Sequence, residues 1–474
     1  MYNSIQYFNN FGVKKIEERI KSFLSEGKDI ADFILGVNED LMQLGRDIVA
    51  EVLEDMDEFL RNDGVRKKDW EIVRKDETGL LTTFGQIRYK RTYFKPKHSG
   101  KRRYLVDELV GINPHDRMSA DVAINTLNEA TESSYRKAGE KSSYENEISK
   151  QAVMNKVHTV EVNPPQLKDK EKRDVRVLYI EADEDHVAHQ TKRSKDRSRC
   201  LMPKLIYVHE GIDLRKSTDK RKVLKNVRYF GEDCSSEDLW LQVAQYISYQ
   251  YDESKIETIY ISGDGASWIK QGLKCIDRSR FVLDNHHLNK YIKIATAHLN
   301  DEAIYQGLKD ALDWPDKEMA QKVFKRILKL TESETKREAV KDAKKYIMNN
   351  WDGIAIKAEK GYEIVGCSAE GHVSHVLSAR LSSRPKGWSK TGVNQMTKLL
   401  VYKKNGGKIY DLVMLQKEKA RKEQQIEIQE ELIRRLRGSG TRYENNFNVD
   451  LPAINGGHKT GLYHALRQLI GRCG

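Results

Sequence analysis

Apolar residues in the first third of the chain follow two different periods. From Val13 to Arg61 they recur every three or four positions, which predicts an acidic helical region over 1–65. From Trp70 to Val106 they alternate with polar residues, which predicts a small basic β-sheet over 66–110. Helical spacing returns over 111–165. Three regions are therefore expected before the middle of the chain.

The helical region over 111–165 has features of a helix-turn-helix DNA-binding unit. Ser149 is predicted to cap a helix whose Ala152 and Val153 point inward. The side chains predicted to point outward, toward DNA, are Lys150, Gln151, Asn155 and Lys156. A helical hairpin without DNA contact follows the same pattern and is the alternative.

The middle of the chain is predicted to be an α/β core. Strands are expected at the start of 175–190, over 199–211 and 222–231, then after a helix over 255–263, and finally over 280–283. Three strands, a helix, a strand, a helix and a strand is the order of a ribonuclease H-like fold. The predicted units are a first core segment over 171–300 with a mixed sheet, an all-helical insertion over 301–350, a second core segment over 351–400, and a C-terminal helical region over 401–474.

Charge indicates the class of partner. The 474 residues carry a net charge of +12, and 66–105 and 191–230 each hold 13 basic and four acidic residues. Such segments favour a polyanion partner over a merely solvated surface. Arg88 and Lys90 on the open face of the small sheet, and Arg102 in the turn after it, are the candidates for backbone contacts.

The N-terminal segment over 1–64 has the opposite charge. It holds seven basic and 14 acidic residues, and because acidic side chains repel phosphate this region is assigned to packing or self-association. The chain shows neither a secretory signal nor an apolar run of the ~20 residues that cross a bilayer, so we expect a cytoplasmic protein without a membrane partner. Its five scattered cysteines predict reduced thiols.

Acids at the ends of predicted core elements are the candidate chemistry. Glu181, Asp183 and Asp185 share one face of the first core strand, and periodicity alone does not choose among them. Asp264 follows the fourth strand and Glu370 follows the helical insertion. Since the first and fourth strands of a ribonuclease H-like sheet are adjacent, their acids are expected to meet and to hold Mg²⁺ or Mn²⁺.

Each acid also has a structural alternative. Asp264 lies between two glycines, a sequence often found in plain turns. Glu370 is also consistent with an ordinary acid in the first turn of a helix. The argument for a metal site therefore depends on the three acids together.

Four runs of residues resemble a known family. YIEADEDHVAHQ, YISGDGASWIKQGL, FVLDNHHLNKYI and CSAEGHVSHVLSARLSSRPKGWS are similar to the ISLre-two insertion-sequence transposases, long known only as an uncharacterised bacterial protein family and distantly similar to Mutator-like transposases. The resemblance implies that Asp183, Asp264 and Glu370 form an Asp-Asp-Glu (DDE) triad with two metal ions. Asp183 is favoured over Asp185 because Val187, four residues later, matches the first-aspartate motif of the Mutator-like group.

The same resemblance assigns further residues. Asp284 and His287 match a Cys-or-Asp, two residues, His motif, and the aspartate here argues against zinc. His287 is expected to contact the scissile phosphate or to support the metal site, with a core histidine as the alternative. Arg380 and Arg384, four residues apart, are expected to contact DNA phosphates, and Trp388 is expected in the core.

The implied function is DNA transposition. Such an enzyme cleaves DNA at the ends of a bacterial insertion sequence and joins the freed 3′-hydroxyls to target DNA, in a nucleoid-associated homodimer or higher oligomer. Two alternatives remain: a catalytically inactive or domesticated DNA-binding protein, and a ribonuclease H-like nuclease without strand transfer.

Overall fold

The structure, a computed structural model, describes residues 6–27, 29–98, 100–163, 171–190, 200–219, 221–232, 235–384 and 386–438. Some of the predicted basic segment, 191–199, and the end of the predicted C-terminal region, 439–474, lie outside these residues. The chain divides into two compact units. The first draws on 1–129, 135–153 and 413–474, and the second on 130–134 and 154–412.

Over the described residues up to Thr159, the regular elements are helices and the strands of one small sheet. In chain order the elements are a π-helical turn (Phe8–Gly12), α1 (Val13–Glu26), α2 (Ile30–Asn62), α3 (Gly64–Asp69), β1 (Trp70–Thr82), β2 (Gly85–Pro96), β3 (Arg103–Tyr104), α4 (Leu105–Val110), α5 (Ala120–Glu132), α6 (Tyr135–Lys141) and α7 (Lys150–Thr159).

The small sheet is antiparallel, in the order β1-β2-β3. Ile87 and Tyr89 of β2 pack against Leu53 of α2 and are almost completely buried, as the alternation predicted. Tyr93, also expected to face inward, is half-buried, with its ring 4.7 Å from the ring of Tyr104. The inward pattern therefore holds only in the first half of β2.

Acidic residues of α2 contact the backbone of β2. Glu54 accepts a hydrogen bond from the backbone N–H of Lys90, and Asp57 accepts one from Thr92, each at 2.8 Å. These carboxylates satisfy donors of β2 at positions that β3 does not pair. Packing, one of the two roles expected of the acidic region, is therefore observed for α2.

A five-stranded mixed sheet organises the second unit, and the last described helix belongs to the first unit from Val413 onward. From Val177 onward the elements are β4 (Val177–Glu184), β5 (Val187–Ala188), β6 (Cys200–Leu201), β7 (Lys204–His209), β8 (Arg228–Phe230), α8 (Ser236–Gln250), a 3₁₀ turn (Glu253–Lys255), β9 (Thr258–Gly263), α9 (Ser267–Lys270), α10 (Gly272–Cys275), β10 (Ser279–Leu283), α11 (Asn285–Thr296), a 3₁₀ turn (Ala297–Leu299), α12 (Glu302–Asp313), α13 (Lys317–Leu330), α14 (Glu334–Asn349), α15 (Trp351–Lys360), α16 (Ala369–Val373), a π-helical turn (Ser374–Ser378), α17 (Ala379–Leu381), α18 (Lys390–Lys404) and α19 (Ile409–Gly438).

Strand order in this sheet is β10-β9-β4-β7-β8. The pairs β4/β9 and β9/β10 are parallel, whereas β4/β7 and β7/β8 are antiparallel. The second and third strands are shorter than predicted. Pro203, which has no N–H donor, precedes β7, and Asn226, with a φ of 53°, interrupts the extended backbone before β8.

The apolar core lies on the sheet face that α8 covers. Trp240 and Val243 of α8 pack there with Ile180 of β4, and all three are fully buried. Phe324 of α13 and Ile347 of α14 join the same core, so the helical segment after β10 is part of the unit's folded interior.

The outer edge of β8 is closed by one side chain. Asn405 accepts a hydrogen bond from the backbone N–H of Tyr229 and donates one to its carbonyl oxygen, both at 2.8 Å. The amide group thus occupies the positions that a neighbouring strand would take.

None of the helices in the described ranges is both long enough and apolar enough to cross a bilayer.

Candidate functional site

Three aspartates stand in register at one edge of the mixed sheet. Val177 pairs with Thr258, and the same offset along the chain separates Asp183 from Asp264. The offset between β9 and β10 likewise equals the separation of Asp264 from Asp284. The backbone N–H of Asp284 donates to the carbonyl of Gly263 at 2.9 Å, which continues the ladder past the end of β9. The parallel register therefore forms a row of carboxylates, which we call the aspartate row.

Asp183 and Asp264 are close enough for their charges to interact. Burial, and to a smaller extent the charge of Asp264, raise the pKa of the half-buried Asp183 to about 6. One oxygen of each side chain accepts a backbone hydrogen bond at 2.8 Å, from Glu184 to Asp183 and from Ala266 to Asp264. Within the described residues, no hydrogen bond is formed to the Oδ2 atom of either. Each aspartate thus retains an oxygen with which to bind a cation.

His287 is held at the aspartate row by Asp284. Oδ2 of Asp284 lies 3.0 Å from Nδ1 of His287, and its Oδ1 accepts the backbone N–H of His286 at 3.1 Å, which caps α11. The Asp284 hydrogen bond raises the pKa of His287, and the charges of Asp264 and Asp183 add to this. Burial acts to raise the pKa of Asp284, but hydrogen bonds from His287 and the backbone outweigh burial and lower this pKa. His287 is therefore a half-buried base whose protonated form is favoured beside two further carboxylates.

Glu370 lies in the first turn of α16 and is separate from the aspartate row. Its side chain is 69% exposed, and its Oε2 atom lies 3.6 Å from Nε2 of His286. In the part of the chain that the structure describes, no three His, Cys, Asp or Glu side chains are grouped closely enough to hold a metal ion. The structure thus aligns two of the three predicted triad residues and leaves the third beside His286.

The other two predicted acids are buried, Glu181 within β4 and Asp185 just after it, where Oδ2 of Asp185 has no hydrogen-bond partner among the described residues. Glu181 is 2% exposed and accepts hydrogen bonds from Tyr207, from Nε2 of His209 and from the backbone N–H of Ser368. Asp185 is also buried, and Ser382 donates its hydroxyl to Oδ1 at 2.8 Å. Asp183 is the most accessible of the three. Burial therefore distinguishes acids that periodicity treated as equivalent.

Two charged residues near the site were not predicted. Glu184 is half-buried, and burial together with the charge of Asp264 raises its pKa. The predicted alternation singled out the strand face that carries Glu181 and Asp183, which is opposite to that of Glu184. Because β4 ends at Glu184, alternation no longer determines where this side chain points. Lys357 of α15 donates to Asn285, and burial lowers its pKa to about 8 even though the charge of Asp284 acts to raise it. No local sequence signal marks this lysine, because the fold brings it to the sheet from a later helix.

One predicted DNA contact is contradicted. Arg380 is 5% exposed, its Nε donates to the carbonyl of Ala130 at 2.7 Å, and its guanidinium lies 4.7 Å from the ring of Trp388. A buried arginine with these partners is not available to a phosphate. Trp388 is 6% exposed and lies in the core as expected. Arg384, which lies beyond the end of α17, is exposed.

The remaining predicted DNA-binding residues lie on the surface. Ala152 donates its N–H to the Ser149 hydroxyl at 3.2 Å, so the predicted cap is present, and Val153 is buried. Lys156, expected to point outward, is half-buried. The residues that are exposed are Arg88, Lys90, Arg102, Lys150, Gln151 and Asn155.

The fold and the site define a mixed α/β protein with a row of aspartates at the end of parallel strands. The chain belongs to the uncharacterised protein family UPF0236, whose model matches residues 23–419.

Curated relatives span nearly the whole chain. A UPF0236 protein of Caldanaerobacter subterraneus subsp. tengcongensis is 41% identical over 465 residues, which cover 96% of this chain and 95% of that protein. Another protein of that organism, whose name joins eleven locus designations, is 41% identical over 458 residues, covering 95% and 93%. A UPF0236 protein from the vanSb 3′ region of Streptococcus gallolyticus is 26% identical over 413 residues, covering 82% and 86%.

Among solved structures, the Drosophila P element transposase strand transfer complex was matched over 64% of this chain and 82% of that chain. The sequence identity is 11% and the TM-score is 0.21. A similarity of this size does not show a shared fold.

Proposed function

We propose that this protein is a DDE-type DNA transposase that cleaves the ends of its own insertion sequence and joins them to target DNA. The observation that carries the proposal is the register of β4 and β9, which aligns Asp183 with Asp264. The strand order supports a ribonuclease H-like core. On one side of β4 the pairs β4/β9 and β9/β10 are parallel, and on the other side β4/β7 and β7/β8 are antiparallel.

The aspartate pair fits a divalent metal. Both side chains are hard oxygen donors with a free Oδ2, and the pKa of Asp183 is raised in part by the like charge of Asp264. A cation between them would relieve that repulsion. When bound, Mg²⁺ or Mn²⁺ supplies Lewis-acid stabilisation of the attacking and leaving oxygens of a phosphodiester. Asp183 and Asp264 would hold it, and we assign Glu370, on the family resemblance, as the third ligand after it leaves His286.

His287 has the properties of a group that contacts the scissile phosphate. Its pKa, raised by the hydrogen bond to Asp284, favours the protonated form, and this bond fixes Nδ1, so that Nε2 is the atom available to donate. A proton held there can hydrogen-bond a phosphate oxygen. Asp284 acts through His287 as a positioning residue.

Double-stranded DNA is the proposed substrate, bound by exposed basic residues on the small sheet and beyond it. Arg88, Lys90, Arg102, Lys150 and Arg384 are the assigned backbone contacts, with Gln151 and Asn155 facing base edges. Because two element ends must be held together for joining, we propose a homodimer or higher oligomer. The relative named by eleven locus designations supports a mobile gene, since transposition multiplies copies within one genome.

The test uses labelled DNA duplexes copied from the genomic sequence on each side of the reading frame. With Mg²⁺, the wild-type protein is expected to nick these ends and to produce strand-transfer products with a target plasmid. Asp183→Asn, Asp264→Asn and Glu370→Gln should each lose at least ~100-fold activity, the scale of losing transition-state charge stabilisation. Glu359→Gln, an exposed carboxylate paired with Arg280, is the matched control and should retain activity.

Three outcomes contradict the proposal in different ways. Cleavage without joined products would show a nuclease. DNA binding without cleavage by the wild type would show a DNA-binding protein that lacks catalysis. Full cleavage by Asp264→Asn would remove the aspartate pair from the mechanism.

A further inference from the structure

A cavity of about 780 Å³ lies beside the edge strand β8, two strands from β4. It is bounded by β8 and the two residues after it, by α8, by α18 and the residue that follows it, and by Val162 and Asn163. Its volume is within the range of about 300–1,000 Å³ that is usual for small-ligand sites. The aspartate row contributes no residue to it.

Arg228 supplies this cavity with a positive charge that lacks a partner. Its Nε atom is buried, and no residue in the described ranges accepts a hydrogen bond from it or forms an ion pair with its guanidinium. The group lies 5.8 Å from the ring of Tyr246, and burial lowers its pKa. Lys398, which lines the same cavity, is neutralised by Glu232. Since the half-buried guanidinium is partly withdrawn from water and has no counter-charge among the described residues, an anion is the ligand that would stabilise Arg228.

Aromatic rings form much of the remaining wall. Phe230, Tyr246, Tyr249 and Tyr402 line the cavity, and rings of this kind stack on planar heterocycles. The amide groups of Gln242 and Gln245 line it as well. Nε2 of Gln242 donates to Glu232 at 3.4 Å, so the carbonyl oxygen of Gln242 and the whole amide of Gln245 are the groups that can hydrogen-bond the edge of a base.

We propose that this cavity binds one nucleotide unit, with its phosphate on Arg228 and its base against the aromatic rings. The nucleotide is either free in solution or an unpaired residue of a DNA strand, because both present the same phosphate and base. Binding here requires neither the aspartate row nor a metal ion, so the inference extends beyond the proposed catalytic function.

The test measures binding to the full chain in metal-free buffer. The small probes are dAMP, deoxyadenosine and inorganic phosphate. The DNA probes are a fully paired duplex and the same duplex with one unpaired deoxyadenosine residue in one strand. The variants are Arg228→Gln and its matched control Arg280→Gln, which removes one positive charge from an exposed arginine paired with Glu359.

We expect dAMP, the unpaired duplex, or both to bind at least about tenfold more tightly than deoxyadenosine, phosphate and the paired duplex. Arg228→Gln should remove this preference and Arg280→Gln should retain it, since a charged hydrogen bond is worth roughly tenfold or more. Preference for dAMP alone indicates a free nucleotide, and preference for the unpaired duplex indicates a DNA strand.

Several results would overturn the inference. Phosphate binding as tightly as dAMP would show a simple anion site. Unchanged binding by Arg228→Gln, with a wild-type unfolding midpoint, would exclude the arginine. If that variant does not fold, Tyr249→Ala, at a side chain that is already 39% exposed, serves instead and should weaken dAMP or unpaired-duplex binding severalfold. Unchanged binding by Tyr249→Ala would then exclude the aromatic wall.

Discussion

Asp183 and Asp264 are separated in the chain by the same offset at which β4 pairs with β9. Their separation in sequence is therefore a direct product of strand register. A one-residue slip of either strand would move its side chains to the other face and dissolve the pair. The relationship also gives Asp183 its unusual acid–base behaviour, from which the first prediction follows.

Asp183→Asn is expected to stabilise the metal-free protein above pH 6. The folded-state pKa, about 6, exceeds the ordinary value of 3.8, so the native state binds the proton more tightly than the unfolded state. Stability is then greatest below the unfolded pKa and declines as pH rises toward 6. The substitution should raise the free energy of unfolding by about 1–3 kcal/mol at pH 8 and by progressively less toward pH 4.

Urea denaturation at several pH values measures this gain. Asp174→Asn, at an exposed residue shortly before β4, is the control and should show no pH-dependent gain. A variant at Asp183 that is less stable than wild type at pH 8 would contradict the burial argument.

Divalent metal should stabilise the wild-type protein in a manner that requires the aspartate pair. Mg²⁺ or Mn²⁺ at a hundredfold excess over its dissociation constant adds about 2.7 kcal/mol when one ion binds only the native state. Thermal unfolding with and without metal tests this. The shift should disappear in Asp183→Asn and Asp264→Asn and persist in Glu359→Gln, and an equal shift in all four proteins would place the metal elsewhere.

His287→Gln should destabilise the protein most in mildly acidic solution. The pKa of His287 is raised by Asp284, so its contribution is fully present below the ordinary value of about 6.5 and is lost as pH rises through the higher folded value. A loss of about 1 kcal/mol is expected at pH 6, with a smaller loss at pH 9. His286→Gln, at a side chain that is 63% exposed, is the neighbouring control, and a pH-independent loss at His287 would argue against the ion pair.

Glu181→Gln should act in the opposite direction to Asp183→Asn, although the two residues share a strand face. Glu181 accepts hydrogen bonds from Tyr207, His209 and Ser368, and a glutamine amide would direct a donor at one of these donors. A loss of roughly 2–3 kcal/mol is expected in urea denaturation at pH 8. Wild-type stability would mean that the buried network is not important for the fold.

Arg380→Ala and Arg384→Ala should separate folding from DNA binding. Removing Arg380 leaves the carbonyl of Ala130 without its donor and vacates space beside Trp388, so a loss of about 2–4 kcal/mol is expected. Arg384→Ala should keep wild-type stability and weaken DNA binding. It should also make the fall of log affinity with log salt concentration less steep, by about 1 in the slope. Unchanged salt dependence would remove Arg384 from the DNA contacts.

Local pattern was sufficient for the residues whose surroundings are built by neighbours in sequence. The two aspartates at strand ends, the Ser149 cap and the burial of Ile87 follow from period and from side-chain chemistry. Arg380 was misassigned because its hydrogen-bond partner lies 250 residues earlier in the chain. A four-residue spacing predicted that the two arginines share a helix face, but it shows neither what covers that face nor that α17 ends at Leu381, before Arg384.

The acids show the same limit. Alternation placed Glu181, Asp183 and Asp185 on one face, and only tertiary contacts revealed that two of them are buried. The position of Glu370 depends on how the chain returns to the sheet after the helical segment. No local period specifies that return path.

The side chain of Asn405 has a consequence for the protein in a crowded cell. An uncovered edge strand is a template on which another chain can add its own strand, and repeated addition leads to fibres. By holding both the N–H and the carbonyl of Tyr229, Asn405 ends the sheet at β8 with a single amide group. One residue in the loop after α18 thus protects the mixed sheet from growing into an aggregate at this side.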